Sequence, residues 1–166
     1  IFQQQYDLGS WFPIYFAVLA SAAGVASLMN ANLVMRFGMR ALIGRAMLSL
    51  AVTSVGFLGF AFLYAGSPPL WSTMAYLLAI FFAIGILFGN LNSLAMEPLG
   101  HVAGIGSALV GSISTLISVP LGILIGHSYN GTILPLIGGF AVLGALSLLV
   151  MRWVESAAVQ PCTTVS

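Results

Sequence analysis

The chain has 166 residues, of which four are arginine, three are acidic and none is lysine. Charged residues make up 4% where a soluble domain carries about 25%. Hydrophobic residues make up 60%, and the mean hydropathy is +1.11. So few charges cannot cover a water-soluble domain, which excludes a free-standing globular enzyme. A net charge of +1 offers no basic patch for a nucleic-acid backbone. The expected surroundings are a lipid bilayer crossed several times. The single cysteine, Cys162, forms neither an internal disulfide nor a cysteine zinc cluster. No signal peptide is recognisable before the first apolar stretch. Ile1-Phe2-Gln3-Gln4-Gln5-Tyr6 reads as the outer end of an earlier span, so the chain is expected to be a fragment.

Five stretches have the roughly 20 apolar residues that a spanning helix needs. In chain order they are residues 11–35, 45–65, 73–96, 103–126 and 132–151, within a transmembrane region 1–155 and ahead of a polar tail 156–166. Their runs are unbroken rather than alternating, which predicts helices and excludes barrel strands. The expected fold is an all-α polytopic bundle. Arg36, Arg40 and Arg45 fall between the first two spans and Arg152 follows the fifth, whereas residues 66–71 and 127–131 carry no Arg or Lys. The positive-inside rule then makes the arginine side cytoplasmic, with the N-terminus outside and the C-terminus inside a cell membrane. Trp11, Tyr64, Trp71 and Tyr129 fall at the outer boundary, and Phe37 and Trp153 at the inner one.

Small residues let helices approach in lipid, where no hydrophobic force drives them together. The first span carries the stripe Phe16, Ala20, Ala23, Ser27 and Asn30. The third groups Phe82, Gly85, Gly89 and Asn92, including a G-x-x-x-G. The fourth steps regularly through Gly104, Ala108, Gly111, Thr115, Ser118 and Gly122. All three stripes predict close packing. Polar groups at depth need a partner, water or a substrate. Ser112, Ser114, Thr115 and Ser118 lie mid-span ahead of Pro120, which removes a backbone donor and predicts a kink near Leu116. Their hydroxyls either bond back to their own helix or line a polar cavity. Asn90 and Asn92 point in different directions, so one can join helices while the other meets a cavity or gate. Asn130-Gly131-Thr132 reads as a turn with a helix N-cap.

No carboxylate or histidine falls near a span midplane: Asp7, Glu97, His101, His127 and Glu155 all lie near boundaries. No His/Cys/Asp cluster suggests a metal and no Ser/His/Asp set suggests a hydrolase, so neither cofactor nor enzymatic activity is expected.

Two segments carry a family resemblance. Within Asn90–Ala108 the chain follows N-x-x-A-x-x-P-x-G-x-x-A-G-x-x-S-A from Asn92 onward, and from Asn30 to Arg40 it follows N-x-x-L-x-x-R-x-G-x-R. These resemble the tenth-to-eleventh helix junction and the cytoplasmic loop between the eighth and ninth helices of major facilitator superfamily drug exporters. Among these, the chain is most similar to the bicyclomycin/chloramphenicol-resistance branch of drug:proton antiporters. The resemblance implies helices eight to twelve of a twelve-helix transporter, whose missing N-terminal six-helix half is a partner and usually holds the proton-carrying acid. It also implies multidrug efflux from the inner membrane by alternating access. Tyr15, Ala23, Phe82, Gly85, Asn90, Asn92, Ser112 and Thr115 become candidates for a cavity that takes small apolar or amphipathic drug-like substrates and protons. Arg36, Gly38, Arg40 and Glu97 become candidates for a cytoplasmic latch, the alternative being that the arginines only set topology. The competing readings are a same-fold transporter of another metabolite and a non-transporting membrane interaction protein or remnant.

Overall fold

The computed structural model describes Tyr6 and residues 8–158. Among these residues the chain is all-α, with five long helices and no strand: α1 (Phe12–Phe37), α2 (Met39–Leu63), α3 (Leu70–Met96), α4 (Ala103–His127) and α5 (Leu134–Ala158). Short 3₁₀ turns occupy Gly9–Trp11 and Glu97–Val102. All five helices are long and apolar enough to cross a membrane, with mean hydropathies of 1.8 to 2.2.

Helix α2 starts six residues ahead of the predicted span, and Gly38 is the reason. Its φ of 78° and ψ of 149° reverse the chain within one residue, in a conformation that a Cβ disfavours. The Gly38 N–H donates to the Val34 carbonyl at 2.8 Å, and the Leu42 N–H donates to the Gly38 carbonyl at 3.1 Å. Burial of Leu42 and Ile43 holds the new first turns against the bundle. Arg40 and Arg45 therefore stand on a helix, not in a loop.

At the other end, Asn130 Oδ1 accepts hydrogen bonds from the Thr132 N–H at 3.3 Å and the Thr132 hydroxyl at 2.7 Å. Asn130 thus organises the turn, with Gly131 at φ 84°, while α5 begins later, at Leu134. Helix α5 also runs past the predicted end at Met151, to Ala158. Helix α4 continues through Pro120, whose missing N–H leaves the Leu116 carbonyl without its usual partner.

Helix α2 packs extensively on α5 and α3, and α1 packs on α3. Ile43, Ile80 and Ile137 are fully buried where these layers meet. Gly144 lets α5 approach α2, since a Cβ there would lie 2.7 Å from Leu50 Cδ2. Buried polar groups in this core are paired: the Ser54 and Tyr76 hydroxyls are 3.1 Å apart, and Phe57 stacks on Tyr76 at 4.3 Å. The Ile133 N–H donates to the Gly66 carbonyl at 3.1 Å, tying the α2–α3 and α4–α5 connections together at one end of the bundle. Near them the Tyr6 hydroxyl donates to the Pro68 carbonyl at 2.7 Å and lies 2.8 Å from Thr73 Oγ1. Arg36, Arg40, Arg45, Glu97 and Arg152 belong to the opposite end.

Candidate functional site

The α1–α3 contact gathers several residues singled out in the sequence. Gly85 lies against Ala23 so closely that a Cβ would stand 2.5 Å from the Ala23 carbonyl oxygen and 2.9 Å from Ala26 Cβ. One turn further on, Gly89 meets Asn30. The G-x-x-x-G face is thus a seat for Ala23, Ala26 and Asn30 of α1, as expected of close helix packing. Asn30 and Asn90 exchange side-chain amide hydrogen bonds, at 2.7 Å from Asn90 Nδ2 and 3.2 Å from Asn30 Nδ2. Asn90 Nδ2 also donates to the Ile86 carbonyl at 2.9 Å. Asn90 is only 3% exposed and its amide is engaged within the bundle. Asn92 is exposed and donates to the Phe88 carbonyl of its own helix at 2.9 Å. Phe82 is partly buried against the core, and Tyr15 is half-buried on α1.

Ser112 and Thr115 lie elsewhere, on an open face of α4. Every residue from 111 to 120 is exposed, and Gly106 is the only buried residue of the helix. This face borders an open groove of about 700 Å³ lined by α4 alone, including Gly111, Ser112, Thr115 and Pro120. Thr115 donates to the Gly111 carbonyl at 2.8 Å and Ser118 to the Thr115 carbonyl at 3.4 Å. Both hydroxyls bond back to their own helix. Ser112 and Ser114 make no hydrogen bond among the described residues. The small-residue stripe on α4 has no neighbour within 4 Å of a Cβ at Gly104, Gly111 or Gly122. Close packing is therefore realised at Ala23 and Asn30 of the α1 stripe and at Gly85 and Gly89 of the α3 stripe, whereas Phe16, Ala20, Ser27 and Asn92 are exposed and the stripe of α4 stays open.

The arginine end holds the third group. The Arg36 and Arg45 guanidinium carbons lie 5.6 and 4.9 Å from the Phe37 ring centre, within cation–π range. Gly38, Arg40 and Glu97 border one recess, yet neither charged side chain has an ion pair or hydrogen bond among the described residues. Asp7, Cys162 and the side chains of His101 and Glu155 lie outside what is described. No group of three His, Cys, Asp or Glu side chains able to hold a metal occurs among the described residues.

Two features escaped the sequence reading. One is the Ser54–Tyr76 pair, whose members are 22 residues apart with no motif joining them. The other is an apolar cleft beside Arg40 and Glu97, walled by residues that look like ordinary lipid-facing side chains.

Fold and site together define a class: an all-α bundle of five apolar helices, with a locked α1–α3 pair and a hydroxyl-bearing helix open at its side. No family profile matches the chain, and neither a curated protein nor a solved structure matches it significantly.

Proposed function

We propose that the chain is the C-terminal part of a membrane-spanning secondary transporter of the major facilitator type. It exports small apolar or amphipathic compounds in exchange for protons, with its arginine end in the cytoplasm. Two sequence patterns, Asn30–Arg40 and Asn90–Ala108, suggest the family. The observation that carries the reading is the open face of α4. Ser112 and Ser114 lie midway along a helix of mean hydropathy 2.1, exposed and without a hydrogen-bond partner among the described residues. In hydrocarbon such groups call for water, a substrate or another polar surface. A substrate path along this face, closed on its far side by the other half of the transporter, supplies all three. Sugars fit less well, since they need more hydrogen-bonding side chains than this face presents.

A second reading draws on the same face. Its uncovered Gly104, Gly111 and Gly122 also suit a partner helix, as in a non-transporting interaction protein. Ser112→Leu separates the two. In cells expressing the transporter, efflux of an amphipathic dye is expected to fall sharply while membrane insertion is unchanged. Normal efflux with Ser112→Leu removes α4 from the path. Loss of association with a partner, with no efflux in the unaltered protein, favours the second reading.

A further inference from the structure

Two recesses meet at the arginine end of the bundle. The smaller, about 560 Å³, is bordered by Gly38, Arg40, Ser93 and Glu97 among others. The larger, about 1120 Å³, opens between α2, α3, α4 and α5, with walls that include Ile43, Met47, Leu91, Ile117, Leu146 and Met151. Arg40, Leu94 and Glu97 border both. One molecule can therefore lie with a polar end in the first recess and an apolar end in the second. The larger space matches or exceeds the roughly 300–1,000 Å³ of small-molecule pockets.

The charges at the shared rim narrow the occupant. Arg40 and Glu97 are both exposed, and neither is paired with another side chain among the described residues. A purely anionic head would meet Glu97, and a purely cationic one would meet Arg40. A head carrying both a phosphate and a hydrogen-bonding ammonium satisfies the two together. The cleft also lies away from the face of α4 that bears Ser112 and Thr115: Ile117 lines the cleft, whereas those two line the open groove.

We infer that this cleft is a binding site for a zwitterionic glycerophospholipid with a primary ammonium. Its phosphate rests on Arg40, its ammonium on Glu97, and an acyl chain lies among Met47, Ile117 and Leu146. The chain occupies the space that separates α4 from α2 and α5, so the lipid braces the one helix that the bundle itself hardly holds. This inference goes beyond the transport reading and does not rest on it.

The test is lipid retention by the purified full chain, read by native mass spectrometry. Three dioleoyl lipids are compared: phosphatidylethanolamine, phosphatidylcholine and phosphatidylglycerol. Phosphatidylethanolamine is expected to be retained about fivefold more than either of the others, the size of one exposed charge contact. Glu97→Gln brings it down to the phosphatidylglycerol level, and Arg40→Gln lowers it by about fivefold. Ile117→Trp, which fills the apolar part, lowers retention of all three lipids. Arg36→Gln, at a residue that borders neither recess, leaves the pattern unchanged. Circular dichroism checks that each variant keeps its helices, and Glu97→Gln decides the matter should another variant fail to fold. Equal retention of the three lipids overturns the inference, as does a preference that survives Glu97→Gln. So does an Arg36→Gln effect as large as that of Arg40→Gln. Efflux plays no part in the readout, so failure here is distinct from failure of the transport reading.

Discussion

Helices α3 and α4 are nearly matched as sequences and opposite as structures. Their mean hydropathies are 2.2 and 2.1, and both carry glycines at helical spacing with polar residues among them. Yet 39% of the most apolar window of α3 is buried, against 0% for α4. The difference lies in complementarity. Gly85 and Gly89 find Ala23, Ala26 and Asn30 on α1, and Asn90 finds an amide that returns its hydrogen bonds. Gly104, Gly111 and Gly122 find nothing within 4 Å among the described residues. A small-residue stripe is thus an invitation to pack, and only a matching surface turns it into a contact.

The largest expected effect comes from placing the same side chain on the two faces. Gly85→Leu forces atoms into the Ala23 backbone, which cannot move aside as a flexible side chain would. It is expected to cost about 3 kcal/mol, measured by denaturant unfolding in detergent micelles. Gly111→Leu is expected to change stability by less than about 0.5 kcal/mol. Similar losses at the two positions would collapse the distinction between locked and open helix.

Next comes the amide pair. Asn90→Leu leaves the Asn30 amide without its partner between α1 and α3, an expected loss of about 1–2 kcal/mol. Adding Asn30→Leu recovers part of that loss, because the orphaned amide is then gone, and a double-mutant cycle reads the coupling. Asn92→Leu, two residues along on the exposed side, is the matched control with an expected change near zero. A somewhat smaller effect is expected inside the α2–α3 core. Tyr76→Phe keeps the stack on Phe57 but strands the buried Ser54 hydroxyl, at about 1 kcal/mol in the same unfolding measurement. Smallest in stability is Ser112→Leu on α4, within about 0.5 kcal/mol, with its consequence confined to efflux. If Ser112→Leu unfolds the protein instead, α4 is held more firmly than its exposure indicates.

The contrast between Asn90 and Asn92 shows how far the site was legible. Two amides at that spacing must point in different directions, because a helix turns about 100° per residue. That the two would differ followed from the spacing; one was expected to join helices and the other to meet a cavity or gate, and Asn92 instead donates to the Phe88 carbonyl of its own helix. Which one does which depended on where α1 lies. The hydroxyls of α4 divide in a similar way: Thr115 and Ser118 bond back to their own helix, and Ser112 does not. The Arg40–Glu97 rim was partly legible as charges near two helix ends. The cleft behind it was not, since its walls are scattered over four helices and a 3₁₀ turn.

Residues 1–166 by themselves determined that the chain forms five long apolar helices and roughly where they lie, though not where α2 begins or α5 ends. Those properties are local: backbone hydrogen bonds close within a helix, and glycine, proline and charge act on their immediate neighbours. Segregation of the arginines at alternate connections follows from the same linear order. The tertiary structure alone decided which apolar face meets which. These helices are apolar all round, so no stripe of hydrophobicity marks an inside, and the choice passes to shape and to pairs of polar groups. Gly85 against Ala23, Asn90 with Asn30 and the bare flank of α4 are three outcomes of that choice.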